Sequence, residues 1–112
     1  MSKKTEEKVF SLDAPTTFSA VVDIPRPGKD PAPLHLLFRH LTGEQLNAWL
    51  AGSKEAKSDA EWLAVIVENW EGVSAEFSVD ALAKLVNNYH APAVTSIVDK
   101  FLAELTEVRR GN

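Results

Sequence analysis

The sequence predicts a mainly α (α+β) fold, in which an N-terminal β-hairpin is followed by about four packed helices. Two patterns along the chain predict this class. Between residues 17 and 41 apolar side chains alternate with polar ones, as they do in half-buried strands. From Thr42 onward the apolar side chains recur at intervals of three and four residues, which is the period of a helix. A chain of 112 residues is long enough for one hydrophobic core and too short for two.

A proline-rich segment separates the two predicted strands. The first strand places its apolar side chains on one face, at Phe18, Ala20, Val22 and Ile24. Pro25–Pro33 then contains four of the six prolines, and proline lacks the amide donor that a sheet ladder needs. The second strand is expected over Leu34–Leu41. The hairpin is therefore predicted to have a long, stiff loop.

The first two helices are predicted from their start signals. Thr42 and Gln45 have the spacing of a capping box, and Ser58 and Glu61 repeat it. The second helix carries apolar residues around much of its circumference, which is typical of a helix in the centre of a core. Gly72 is its expected C-terminal stop.

Two further helices are predicted after a short link. Ser78 is the expected N-cap of the third helix, and Pro92 suits the first turn of the fourth. The fourth helix has an apolar stripe of almost unbroken three-four spacing, formed by Val94, Ile97, Val98, Phe101, Leu105 and Val108. This stripe fits packing in the domain's own core as well as contact with another protein.

These patterns divide the chain into three parts. Residues 1–16 are predicted to be a flexible N-terminal tail, and residues 109–112 a short C-terminal tail. Residues 17–108 are predicted to form a single domain, with the hairpin at 17–41 and the helices at 42–108.

Charge and composition narrow the function classes. The formal net charge of −4 argues against a nucleic acid as the main partner. The absence of cysteine excludes disulfides and thiolate metal sites, and it permits a reducing cytoplasm. No apolar stretch reaches the ~20 residues that span a bilayer, and the charged N-terminus lacks the features of a signal peptide. We therefore expect neither a nucleic-acid nor a membrane partner.

The sequence contains no recognisable catalytic motif. His35 and His40 lie five positions apart on a predicted strand, so their side chains point to opposite faces and cannot share a metal ion. No H-E-x-x-H motif, glycine-rich phosphate loop or G-x-S-x-G motif occurs. We expect no enzymatic activity, no cofactor and no metal ion, and we expect the chain to act by binding another protein.

Three consecutive segments resemble a known protein family. They are Asn69-Trp70-Glu71-Gly72-Val73, then Phe77-Ser78 with Leu82, Leu85 and Tyr89, then Ala93-Val94 with Ile97 and Phe101. They follow a strand-like hairpin and a helix entry at Leu41-Thr42-Gly43-Glu44-Gln45. In this order and spacing they resemble the tail assembly chaperones of long-tailed (siphovirus-type) bacteriophages, over roughly residues 18–105.

The resemblance implies a function and a set of partners. The chain would bind the tape-measure protein and keep it soluble while the tail tube assembles around it. It would act in the cytoplasm of the bacterial host, associate weakly with itself and be absent from the mature virion. The family often makes a longer product by ribosomal frameshifting, through which the tail-tube protein would also be a partner. As a hypothesis, a slippery codon run encodes Arg110-Gly111-Asn112, and the gene sequence would test this.

Two surfaces are candidates for these contacts. The last helix is the candidate protein-binding surface, through Ile97, Phe101, Leu105 and Val108. The hairpin loop around Arg26 and Lys29 is the candidate for self-association.

Two other functions remain open from the sequence. A structural or completion subunit of a phage-like particle would stay in the finished particle, whereas a chaperone would not. A small DNA-binding regulator would use the helices that start at Thr42 and Ser58 as a helix-turn-helix. Its recognition helix, Asp59–Glu71, has four acidic side chains and no lysine or arginine, which argues against binding to phosphates.

Overall fold

The computed structural model describes residues 9–107. Within this range the chain forms a three-stranded antiparallel sheet in the order β1-β2-β3, and three helices. The strands are β1 (Thr17–Arg26), β2 (Lys29–Arg39) and β3 (Val67–Glu71). The helices are α1 (Gly43–Ala51), α2 (Asp59–Ala64) and α3 (Val79–Thr106), and a short 3₁₀ turn (Gly52–Lys54) follows α1.

The predicted fold class is wrong in two respects. The described chain contains a third strand, which joins the hairpin to form a three-stranded sheet. It also has three helices where four were predicted, because α3 covers the positions of both the third and the fourth. The protein is therefore an α+β sheet-and-helix fold and not a mainly α bundle preceded by a hairpin.

The third strand replaces the second half of the predicted second helix. The helix predicted over Asp59–Glu71 ends at Ala64, and Val67–Glu71 pairs with β2 instead. Residues 65–67 are all β-branched, which favours a strand. A short apolar run fits a buried strand as well as a buried helix, so the pattern alone does not separate them. Pairing with β2, which is distant in the sequence, is what makes Val67–Glu71 a strand and not a helix.

The predicted proline loop is also wrong, because most of it is strand. β1 continues to Arg26 and β2 begins at Lys29, which leaves only Pro27 and Gly28 as the turn. Gly28 has a φ of 70°, as the second central residue of a type II turn requires. The turn is therefore much tighter than the sequence suggests.

Pro31 and Pro33 fit into β2 because neither position needs an amide hydrogen within the sheet. The N–H of His40 donates to the carbonyl of Thr16 (2.9 Å), so the even-numbered residues of β2 are those that bond to β1. The odd-numbered residues point toward β3, which ends opposite His35. The two prolines lie beyond that point and break no ladder hydrogen bond.

The predicted helix starts at Thr42, Ser58 and Ser78 are confirmed. The hydroxyl of Thr42 accepts from the backbone N–H of Gln45, whose side chain accepts from the backbone N–H of Thr42 in return. Ser58 and Ser78 each accept from the backbone N–H three residues ahead, at 3.1 and 3.0 Å. Side-chain caps of this kind satisfy amides that have no partner within the helix.

The long helix α3 has a sharp kink at His90. This residue has φ 69° and ψ −165°, far from helical values, and it precedes Pro92 by two positions. Proline cannot donate a helical hydrogen bond, and its ring clashes with the carbonyl four residues earlier in a continuous helix, here that of Asn88. The start predicted at Pro92 therefore corresponds to the kink within α3.

One face of the sheet forms the core together with α3, which buries Leu82 before its kink and Ile97 and Phe101 after it, and with buried residues of α1 and α2. Phe101 of α3 has no exposed surface. Its ring centroid lies 5.9 Å from that of Phe18 in β1, 5.3 Å from Phe38 in β2 and 5.6 Å from Trp49 in α1. One side chain thus contacts both long strands and the first helix, and removing a buried phenylalanine typically costs about 3–5 kcal/mol.

Two tryptophans join α1 to α2. The rings of Trp49 and Trp62 are parallel to within 6° and their centroids are 4.1 Å apart. The indole Nε1–H of Trp49 donates to the carbonyl of Trp62 (2.9 Å), and that of Trp62 donates to the carbonyl of Trp49 (2.8 Å). The two tryptophans therefore stack on each other, and each also accepts a hydrogen bond from the other's indole N–H at its backbone carbonyl.

Arg39 connects the end of β2 to the link between α2 and β3. Its Nη1 donates to the carbonyl of Ala64 (2.9 Å), and its Nε lies 3.3 Å from a carboxylate oxygen of Glu68. Its backbone N–H donates to the carbonyl of Ile66 (2.7 Å). The C-terminal end of α2 thus meets a cation, which the helix dipole favours.

We expect His90→Gly to stabilise the protein. Glycine reaches this positive φ without the steric cost of a Cβ atom, so the free energy of unfolding should rise by about 1 kcal/mol. Urea denaturation measures this change. His90→Ala keeps the Cβ and serves as the control, and an equal gain in both variants would show that the backbone at the kink is not strained.

We expect Trp62→Phe to destabilise the protein by about 0.5–1.5 kcal/mol, because the smaller ring still packs but removes the indole hydrogen bond to the carbonyl of Trp49, which keeps a backbone donor. Trp49→Phe should have a similar effect on the carbonyl of Trp62. Unfolding of the two single variants and the double variant gives a double-mutant cycle. We expect a coupling of about 0.5–1 kcal/mol, whereas full additivity would contradict the reciprocal arrangement.

Candidate partner-binding groove

An apolar groove opens where three parts of the fold meet. These are the turn end of the β1-β2 hairpin, the connection that follows β3 and the first half of α3. The groove has a volume of about 430 Å³, within the range of about 300–1,000 Å³ of binding clefts. Its lining residues are Ile24, Arg26, Ala32, Pro33, Leu34, Trp70, Gly72, Val73, Ser74, Ala75, Ala81, Lys84, Leu85, Asn88 and Tyr89.

The floor of the groove is held in place by Trp70. Its indole is only 8% exposed, and its Nε1–H donates to the carbonyl of Ala75 (2.8 Å). The ring of Phe77 meets it edge-on, with centroids 5.1 Å apart. Gly72, with a φ of 72°, turns the chain out of β3 just before this segment. The connection after β3 is therefore fixed against the sheet by side-chain contacts.

The first half of α3 forms one wall. Ala81, Leu85 and Tyr89 follow at intervals of four, so they lie along one side of the helix. All three pack against the core and keep part of their surface exposed to the groove. The kink at His90 ends this wall.

The charged side chains that line the groove are both basic. They are Arg26, at the end of β1, and Lys84, on α3. Arg26 donates from Nε to the carbonyl of Asp30 (2.8 Å), which orients its guanidinium. Lys84 is exposed and makes no ion pair with another described residue. An apolar groove with a basic rim thus occurs on a chain with a net charge of −4.

The residues predicted for protein binding on the last helix lie mostly elsewhere. Ile97 and Phe101 are buried with no exposed surface, and Leu105 is half-buried against the core. Val108 lies outside the described residues. Partner contact through this stripe stays a prediction, and for Ile97 and Phe101 it would require α3 to leave the sheet.

The two residues predicted for self-association face each other across the hairpin turn. Arg26 and Lys29 are partners in the β1-β2 register. Lys29 is exposed, whereas Arg26 is half-buried at the rim of the groove. Self-association through them stays a prediction.

The remaining groove residues are not apparent from the sequence. Leu85 and Tyr89 belong to an apolar helical stripe, which is typical of a core. The groove also depends on β3 and the tight hairpin turn, neither of which the sequence pattern predicts. The one available signal is Lys84, a cation next to that stripe.

No metal site or membrane span is found in the part of the chain that the structure describes. Among residues 9–107, no three histidine, cysteine, aspartate or glutamate side chains are grouped so that they could hold a metal ion. None of the helices in this range is long and apolar enough to cross a membrane.

Comparison with known proteins identifies the family. A family model described as phage tail assembly chaperone matches residues 1–112. No protein of curated function and no solved structure matches the chain. The match covers every segment that carries the sequence resemblance, from the hairpin to Phe101. The chain therefore belongs to the phage tail assembly chaperone family.

Proposed function

We propose that this chaperone binds the tape-measure protein of a long-tailed phage, and that the groove between the hairpin, β3 and α3 holds an apolar segment of that partner. The apolar groove with its basic rim is the observation that supports this proposal. A protein that masks another chain's apolar surface needs an accessible apolar surface of its own.

The shape of the groove suits an amphipathic helix. Such a helix places side chains at intervals of three and four residues along one face and inserts them into an apolar cleft. Leu85 and Tyr89 supply an apolar wall, and Trp70 supplies a fixed floor. A tape-measure protein exposes helical apolar surface of this kind before the tail tube covers it, and the groove would shield part of that surface.

The distribution of charge suits the same role. Arg26 and Lys84 would pair with acidic side chains that flank the apolar face of the bound segment. The remainder of the chain is acidic, with a net charge of −4 overall. A partner coated by many acidic copies would repel other coated partners and stay in solution.

The proposal includes where and when the chain acts. It would work in the cytoplasm of the bacterial host and leave the tape-measure protein as tube subunits replace it. A longer frameshifted form would contact the tail-tube protein. Mass spectrometry of purified virions distinguishes this role from that of a structural or completion subunit, because a chaperone would be missing from finished particles.

The fold gives no support to a DNA-binding regulator. The helix-turn-helix considered from the sequence needs a recognition helix after Ser58 long enough to lie in the major groove. The helix that starts there, α2, has six residues and leads into a strand of the sheet. Its first turn carries Asp59 and Glu61, which phosphates would repel.

We expect the combined variant Arg26→Glu and Lys84→Glu to lose its partner. The chain and its phage's tape-measure protein would be produced together, and the soluble fraction of the tape-measure protein measured. Reversal of both rim charges turns attraction to acidic side chains into repulsion, so the apparent affinity should fall about tenfold or more.

The combined variant Lys54→Glu and Lys57→Glu is the matched control. It changes the net charge by the same amount at two exposed lysines that do not line the groove. It should keep the tape-measure protein as soluble as the unmodified chain does, and circular dichroism should show both variants folded. Equal activity of the groove variant would place the contact elsewhere, and no effect of the unmodified chain would refute tape-measure binding itself.

A further inference from the structure

β1 is an edge strand with an unpaired side. Its ten residues pair with β2, and no other strand within residues 9–107 lies beside it. The opposite edge of the sheet is formed by β3, which has only five residues. The long edge of the sheet is therefore the one that β1 presents.

The register identifies which backbone groups point to this edge. Because Thr16 accepts a hydrogen bond from His40, the even-numbered residues of β1 are those whose N–H and C=O groups face β2. The odd-numbered residues of β1 direct their N–H and C=O groups away from β2, toward the unpaired edge. These residues are Thr17, Ser19, Val21 and Asp23.

The edge lacks several of the features that usually prevent strand addition, and Asp23 is its one charged residue between Thr17 and Ile24. Proteins protect such edges with charged side chains, prolines, bulges, very short strands or a covering helix or loop. From Thr17 to Ile24, β1 has no proline, lysine or bulge. Pro25 and the register irregularity come only afterwards, next to the hairpin turn. Val21, in the middle of this stretch, is 43% exposed on the face of the sheet opposite the core.

We propose that β1 pairs antiparallel with β1 of a second copy of this chain, around a twofold axis at Val21. The two three-stranded sheets would then become one continuous sheet. This inference goes beyond the proposed function, because it concerns the chain's own assembly and does not depend on the groove or on a tape-measure protein.

The side chains of β1 favour this register over those with the axis at Asp23 or at Ser19. With the axis at Val21, each Val21 lies beside its symmetry mate, and each Ser19 lies opposite Asp23 of the other copy. A hydroxyl opposite a carboxylate is a favourable cross-strand pair. An axis at Asp23 would place two like charges directly opposite each other, which is destabilising. An axis at Ser19 would leave the exposed Val21 opposite Thr17.

The proposed pairing also extends the core face of the sheet. Phe18 and Ala20 face the core but are only partly buried in the single chain. In the paired sheet they would lie beside Ile24 and Val22 of the second copy, and part of their remaining apolar surface would leave water. Backbone hydrogen bonds and apolar burial would then act together.

The test is the association of the isolated chain by sedimentation equilibrium. We expect a concentration-dependent monomer–dimer equilibrium, and we expect Val21→Lys to raise its dissociation constant about tenfold or more, because two ammonium groups would meet at the axis. Val65→Lys is the matched control, since Val65 is 47% exposed and does not lie on β1. A chain that stays monomeric at all concentrations, or equal effects of the two variants, would overturn the proposal.

Ser19→Lys tests the register itself. In the proposed register this substitution places a cation opposite Asp23 of the other copy, so the dimer should tighten severalfold, about the effect of one added cross-strand charge pair on each side. With the axis at Ser19, the same substitution would bring two cations together and weaken the dimer. A weaker dimer would therefore refute the axis at Val21. Failure of either experiment would leave the groove proposal intact, because no groove residue is changed.

Discussion

The ring of Phe101 is the point at which the sheet and the helices meet. It contacts Phe18, Phe38 and Trp49, and Trp49 stacks in turn on Trp62. The chain has no cysteine and so no disulfide, and apolar burial of this kind is the main favourable contribution to folding in a small domain. Both long strands and all three helices contribute a ring to this cluster, and β3 pairs with β2, which is one of them. The position of α3 against the sheet, and with it the width of the groove, depends on this cluster.

The parts of the fold that the sequence predicts correctly are governed by local interactions. The caps at Thr42, Ser58 and Ser78 involve residues three positions apart, and all three form. The third strand and the tight hairpin turn were missed because they depend on pairing across the sheet. Pro31 and Pro33 suggest a loop until the strand order shows that their amide positions face no partner. Whether a residue in a strand needs its amide hydrogen depends on the pairing register, and the local sequence pattern does not reveal that register.

The same limit applies to the candidate site. Phe101 and Leu85 both belong to apolar stripes with helical spacing, and the sequence does not distinguish them. In the structure Phe101 is fully buried under the sheet, whereas Leu85 borders an open groove. Leu82, three residues before Leu85, is also fully buried, so the difference depends on which neighbours each side chain meets in the folded chain. The family, by contrast, could be recognised from the sequence, because it depends on the order and spacing of short segments along the chain.

The kink in α3 also has an evolutionary consequence. The half after His90 supplies Ile97 and Phe101 to the core, where nearly any change costs stability. The half before it carries the exposed Lys84 and Asn88 along the groove, where changes alter what is bound more than whether the chain folds. Selection for stability therefore acts on the buried residues of both halves, Leu82 included, whereas selection for a new partner acts on the exposed groove residues before the kink. As the partner's sequence changes during evolution, such chaperones could change the exposed groove residues while the buried core residues stay the same.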